Sequence, residues 1–202
     1  MDYLFKITTL NNRYFGMRHG QSLANCEGLI VSTPENGIPA YGLSDEGRLQ
    51  IERSISKNTK LDSSVQIISS DFKRARESAE IARSLLNATH ELILNKKLRE
   101  RDFGDYELTS DSNYNTAWTN DAVSSAHTID NVESADSVMS RVSSLIISLE
   151  EQFNGVVFLL IAHGDTLQIL QTAFQKHPAS KQRELKHLET AEIREFVLST
   201  EN

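Results

Sequence analysis

Two short apolar runs each lead into a His-Gly dipeptide. Tyr14-Phe15-Gly16-Met17 passes through Arg18 to His19-Gly20, and Val156 to Ala162 runs directly into His163-Gly164. A bounded run that is apolar at nearly every position belongs to a strand buried on both faces, as in a parallel sheet covered by helices. Ligands of open α/β sheets bind beyond the carboxyl ends of the strands, which is where both histidines are expected. Glycine directly after each lets the backbone turn tightly and lets a ligand come close to the main chain. The pattern predicts two imidazoles flanking one pocket.

The rest of the chain alternates in the same way. Residues 25–43 lack periodicity and contain Pro34, Asn36-Gly37 and Pro39, which predicts a long loop. Ser44 is a favoured N-cap for a helix running to about Ser56. Val65 to Ile68 is a short strand, and Phe72, Ala75, Ala79, Ala82 and Leu86 have helical spacing. A strand at 91–95, a helix over 134–153, the 156–162 strand, a helix over 166–175 and a final strand at 193–198 complete the series. Strands alternating with helices predict an α/β fold, a three-layer α/β/α sandwich on a mainly parallel sheet. With 202 residues and neither repeat nor linker, a single domain over 1–202 is expected.

Composition narrows the partners. The net charge of −7 argues against nucleic acid or an anionic membrane, either of which calls for a basic face. An anionic substrate must then be held by locally gathered cations. Cys26 is the only cysteine, so no internal disulfide forms, and a reducing cytoplasm is the expected compartment. The first twenty residues carry no apolar core of signal-peptide length, and no window approaches the ~20 residues that span a bilayer.

Cations are placed where such a substrate would need them. Arg18 adjoins His19, and Arg74 follows the second strand within Ser69-Ser70-Asp71-Phe72-Lys73-Arg74, inside the first turn of its helix. Helix N-termini and guanidinium forks both suit phosphate. Leu98-Arg99-Glu100 through Glu107 is rich in carboxylates, and one of them is a candidate proton donor. His90, His127, His177 and His187 lack this framing and are expected on the surface or in loops. No cluster has metal-ligand spacing, so neither a metal nor another cofactor is expected.

Arg18-His19-Gly20-Gln21-Ser22-Leu23-Ala24-Asn25, Leu43 to Gln50, Ser69 to Ala79, Leu98-Arg99-Glu100 with Gly104 and Glu107, Glu133-Ser134 with Arg141, and His163-Gly164 stand in the order of motifs in a known family. The chain resembles the histidine phosphatase superfamily, in its phosphoglycerate-mutase-like branch. The resemblance implies an inserted cap at about 103–132 and a phosphohistidine formed on His19. It implies that Arg18, Arg74 and His163 hold the phosphoryl oxygens, with Asn25, Ser22 and Gly164 as further substrate contacts. It also implies that Glu100 protonates the leaving oxygen and later activates water.

The expected activity is metal-independent hydrolysis of small organic phosphate monoesters. A phosphoglycerate mutase, a fructose 2,6-bisphosphatase-like enzyme and a non-catalytic phosphate-binding scaffold are the alternatives. Between Arg101 and Arg141 there is no lysine or arginine, against eight acidic residues including Asp121, Asp130 and Glu133. A second phosphate facing this cap is expected to meet negative charge and find no partner. Tyr114 and Trp118 are expected to pack the cap onto the body or else to contact substrate there, while Tyr41 and Asn36 either line the pocket mouth or shape a loop.

Overall fold

The computed structural model describes residues 4–200. Its sheet has the order β3-β2-β4-β1-β5, from β1 (Arg13–Arg18), β2 (Gln66–Ser69), β3 (Ile93–Leu94), β4 (Val157–Ala162) and β5 (Ile193–Phe196). The first four run parallel, and β5 lies antiparallel on β1 with Tyr14 opposite Phe196. The apolar runs around both histidines are therefore neighbours, paired from Arg13 with Val157 to Arg18 with Ala162.

Helices cover both faces because the buried strands alternate between two cores. Tyr14, Phe158, Leu160 and Ala162 face one way, against α6 (Ala135–Gln152) and α7 (Gly164–Phe174). Phe15, Met17, Leu159 and Ile161 face the other way, against α3 (Asp45–Lys57) and α4 (Lys73–Leu85). Each core is dry and large, and it fixes the register, since a slip of one residue would exchange the two faces. Ser44 and Ser134 cap α3 and α6, accepting from Gly47 and Ser137 N–H at 3.0 and 3.1 Å. Among the described residues no helix is long and apolar enough to cross a membrane.

Residues 25–43 are not the unstructured loop that their lack of periodicity predicts. They contain most of α1 (Leu23–Glu27) and all of α2 (Pro34–Gly37), helices of five and four residues that are too short to show a period. Residues 28–32 then pair with 108–111, with Ile30 N–H donating to Thr109 and Leu108 N–H to Ile30. Residues 103–132 form α5 (Tyr114–Val123) between 3-10 turns, around a small cluster of Ile30, Phe103, Ala117 and Val132. β3 has only two of the five residues expected, and both are exposed at the sheet edge.

Candidate active site

The ends of β1, β2 and β4 are stitched to one another beyond the strands. His19 N–H donates to the Ala162 carbonyl and Ser70 N–H to the Ile161 carbonyl, each at 3.0 Å. The two rings that follow, His19 and His163, meet edge to face with centroids 5.2 Å apart. Next to them, Gly20 and Gly47 let α3 approach the loop after β1. A Cβ on Gly20 would lie 2.3 Å from the Gly47 carbonyl oxygen, and one on Gly47 would lie 2.0 Å from that of Gln21.

His19 is buried and its tautomer is forced. Arg74 Nε donates to Nε2 at 3.0 Å, and a guanidinium can only donate, so Nε2 carries the lone pair. Nδ1 then holds the proton and donates to the Gly20 carbonyl at 2.7 Å. Burial holds the pKa of His19 well below its ordinary value, and the charges of Arg74 and then Arg18 push in the same direction. The imidazole is thus held neutral, with its Nε2 lone pair aimed at the arginine. Charge alone predicts this direction, but burial is the larger cause.

The second ring is prepared differently. Ser70 Oγ already accepts from Phe72 N–H at 3.2 Å, so it can give its own hydrogen to His163 Nε2, 2.9 Å away. That places the proton of a neutral His163 on Nδ1, which is buried without a partner. Burial and then Arg74 lower the pKa of this group as well. Phe72, fully buried, joins the two sides of the site. Its ring meets His163 edge to face at 5.1 Å and carries the Arg74 guanidinium 5.2 Å from its centroid. The sequence reading assigned Phe72 no role beyond helix spacing.

Arg74 also donates through Nη2 to the Val31 carbonyl at 2.8 Å, while its Nη1 and the Nε of Arg18 are buried with no partner. Among the described residues neither arginine takes part in an ion pair: their partners are imidazoles and carbonyls. Two guanidiniums outside any ion pair thus stand by His19, and Arg18 Nε, Arg74 Nη1 and, with Ser70 as donor, His163 Nδ1 are buried idle donors. Orphaned buried donors are rare in folded proteins and call for a ligand.

Glu100 lies on the same edge, 8% exposed. Its Oε1 accepts from the N–H groups of Arg101 and Thr166 at 3.0 and 3.3 Å, while Oε2 makes no hydrogen bond among the described residues. Burial raises its pKa, and the nearby Asp165 carboxylate raises it further. The Arg74 charge and the two N–H bonds oppose this shift, and a proton taken up by the carboxyl would sit on Oε2, the oxygen without a partner. Arg141 holds the backbone of this loop, donating to the carbonyls of Lys97, Arg99 and Glu100 at 2.6, 3.0 and 3.3 Å while it pairs with Glu133.

Two of the implied contacts are used elsewhere. Ser22 Oγ accepts from Asn25 N–H at 3.2 Å and Asn25 Oδ1 accepts from Ser22 N–H at 3.0 Å, closing a capping box at the start of α1, while Ser22 Oγ also donates to Oδ1 at 2.9 Å. That use leaves Ser22 no donor for an anion and leaves Asn25 only its Nδ2. Gly164 opens α7 beneath Arg18, where a Cβ would stand 3.5 Å from the guanidinium carbon. Trp118 Nε1 donates to Asp165 at 3.1 Å and so ties α5 to the body, while Tyr114 stacks on Trp118 at 5.5 Å and meets Phe103 edge to face at 4.7 Å, both within residues 103–132. Asn36 shapes its loop, donating with its amide to Glu107 at 2.9 Å. Among the described residues no three His, Cys, Asp or Glu side chains gather as a metal-ligand set.

The sequence reading missed the loop after α7. Arg183 lies over the Trp118 ring, 3.5 Å from its centroid, and pairs with Asp165. His187, expected on the surface or in a loop, touches Arg18. His127 is also drawn inward, 2.9 Å from Asp121. None of these has a strand end or a glycine beside it to mark it in the sequence.

A model of the histidine phosphatase superfamily (branch 1) matches residues 15–202, and the chain belongs to that superfamily. Phosphoglycerate mutase-like protein 4 of Arabidopsis thaliana is 26% identical over 160 residues, covering 76% of this chain and 67% of that protein. Mycobacterial glucosyl-3-phosphoglycerate phosphatase, solved with VO3, has a similar structure, with a TM-score of 0.75 at 23% identity over 91% of this chain and 90% of that one. The alpha-ribazole phosphatase of Shigella flexneri reaches 0.73 at 22% identity, over 91% and 89%. At these identities the two structures bear on the fold alone.

Proposed function

We propose that this protein hydrolyses small organic phosphate monoesters through a phosphohistidine on His19, within a single domain whose residues 103–132 act as a cap. The observation that carries the reading is the pair of unpaired guanidiniums with three idle donors around a neutral imidazole. Two positive charges match one phosphate dianion, and the donors match its oxygens.

In the first step a phosphoryl oxygen takes over the Arg74 hydrogen bond and releases the lone pair of Nε2. Nε2 attacks phosphorus, the P–O ester bond breaks, and Glu100 Oε2 gives its proton to the departing oxygen. Arg18 Nε, Arg74 Nη1 and His163 Nδ1 donate to the equatorial oxygens, where charge gathers in the transition state. In the second step the Glu100 carboxylate takes a proton from water, the water oxygen attacks phosphorus, and the P–N bond breaks. Inorganic phosphate leaves, with Glu100 protonated and His19 neutral again. The Nδ1–H bond to Gly20 holds the ring through both steps, and Asn25 Nδ2 is a further donor to the phosphate.

The test is turnover of an aryl phosphate with a chelator present, beside trapping of the labelled enzyme by an alkaline quench. Wild type should turn over and trap an acid-labile, base-stable phosphoryl group, and His19→Ala should do neither while keeping its melting temperature. Retention of a substantial part of the activity by His19→Ala would overturn the assignment.

A further inference from the structure

Arg18 is held from behind. Its Nη1 lies 2.9 Å from His187 Nε2 and donates to the Leu188 carbonyl at 3.1 Å, while its Nε is left buried and free. A guanidinium has no acceptor, so the contact with His187 requires a lone pair on Nε2. On its other side the ring faces Arg183, whose Nη1 is 3.5 Å from Nδ1. Burial and then the charges of Arg18 and Arg183 push the His187 pKa down to about 4, against smaller opposing effects of Asp165 and Glu189. The glycine at 164 makes room for the arrangement, since a Cβ there would lie 3.3 Å from His187 Cε1 and 3.5 Å from Arg18 Nε.

The segment that carries His187 leaves a 3-10 helix (Ala179–Glu184), and buried polar side chains fasten it by its carbonyls. Gln168 Nε2 donates to Gln182 and Leu185 at 2.5 and 2.9 Å, and Gln171 Nε2 to Lys186 at 3.0 Å. Arg194 donates to Lys186 at 2.6 Å and to His187 at 3.0 Å. Gln168 and Gln171 are buried on α7, where apolar residues would be the default. Burying an amide is unfavourable unless it is hydrogen-bonded, and here their bonds are spent on residues 182–187. Fixing this segment is what the polar side of α7 accomplishes.

We infer that His187 is a positioning residue: fastened through residues 182–188, it fixes the Arg18 guanidinium so that Nε is presented to the phosphoryl oxygens. The inference rests on the phosphatase reading of the site, and its test includes a readout that does not need turnover. His187→Ala should lower kcat/KM about 10- to 100-fold, less than the loss of a whole donor and in line with misplacement of a binding group. His187→Gln, whose Oε1 can accept from Nη1, should recover most of that loss. In an Arg18→Ala background, His187→Ala should cost less than about twofold, because the group it orients is gone.

Wild type, the three single variants and the double variant are titrated with inorganic phosphate by calorimetry, and their melting temperatures are recorded. The expected result is the same non-additivity in phosphate affinity as in kcat/KM, with folded proteins throughout. Equal losses from His187→Ala in both backgrounds, or Gln no better than Ala in a folded protein, would overturn the inference. If wild type shows no turnover, the phosphatase reading fails, and the phosphate-affinity cycle alone still decides whether His187 acts through Arg18.

Discussion

Acidification from about pH 6.5 to 5 should weaken the fold, and Glu100→Gln should steepen the loss. His19 and His163 are buried, with pKa values held below the ordinary range first by burial and then by Arg74. In the unfolded chain each titrates near 6.5. Below that pH the unfolded state binds two protons that the folded state refuses, so each contributes stability that is present above 6.5 and lost as pH falls, at about 1.4 kcal/mol per pH unit. Glu100 acts with the opposite sign. Its pKa is raised, so above about pH 4.3 the folded state keeps a proton that the unfolded glutamate has lost, which offsets one of the two histidines. The slope for wild type is then shallower, wherever Glu100 holds its proton, than the about 2.7 kcal/mol per pH unit expected of Glu100→Gln. His187, partly exposed, adds a smaller part of the same sign, and the lowered carboxylates such as Asp71 and Asp165 act only at lower pH. Against a total stability of about 5–15 kcal/mol these slopes are readily measured. Urea unfolding at three pH values, followed by circular dichroism, gives both. Stability independent of pH over this range, or equal slopes in the two proteins, would refute the assignment of neutral buried imidazoles opposed by a protonated Glu100.

Arg74→Ala should lower kcat/KM by about 10² to 10³, as for loss of one preorganised donor with its charge, and Arg74→Lys should recover only part, since one ammonium cannot serve His19, Val31 and the phosphate together. Arg101→Met should cost about 3–5 kcal/mol of stability, read by urea unfolding, because it leaves Asp121 buried without its arginine and Asp165 with Arg183 alone. For a chain of this size that is a fall of about 6–20 °C in melting temperature, and Arg101→Met with Asp121→Asn should recover part of it.

The centre of the site was legible because it lies where sequence signals are strongest. Two unbroken apolar runs fix β1 and β4, the strand end fixes where each histidine stands, and Arg74 is placed by the helix that starts beside it. The pairing of β1 with β4 could not be read, because it is a long-range contact with no local mark. The burial that tunes His19 more than charge does was hidden for the same reason. The periphery was less legible still. Ser22 and Asn25 match a motif, but a motif does not tell a phosphate contact from a helix cap, and a capping box uses the same two residue types. Arg183 and His187 come from a segment whose conformation is set by Gln168, Gln171 and Arg194 rather than by its own periodicity, so its sequence reads as an ordinary polar loop.

The same contacts decide how large an anion the site should accept. The sequence argument rested on negative charge in the cap, and that part is corrected by the structure. Glu107 accepts from Ser32, Thr33 and Asn36, Asp121 pairs with Arg101, and Glu133 pairs with Arg141, so these carboxylates bind the protein to itself. The other half of the argument becomes stronger. Arg48 is paired with Glu77, Arg76 with Glu80, Arg99 with Asp71, Arg101 with Asp121, and Arg183 with Asp165. Arg18 and Arg74 alone among these arginines carry uncompensated charge, and one phosphate dianion balances both. A second phosphate or a carboxylate that called on Arg101 would have to break a buried ion pair, at a cost of several kcal/mol, while the more exposed pairs of Arg48 and Arg76 would resist far less. Monoesters with an uncharged remainder should therefore exceed bisphosphates and phosphoglycerates in kcat/KM by 10-fold or more, since about 1.4 kcal/mol already gives that ratio. The measurement compares an aryl phosphate, fructose 2,6-bisphosphate and 3-phosphoglycerate, with mutase turnover assayed in the presence of 2,3-bisphosphoglycerate. A preference for the bisphosphate would show that one of these ion pairs opens for substrate, with Arg183–Asp165 beside Trp118 the first to test. Efficient interconversion of phosphoglycerates would overturn hydrolysis as the function of the site.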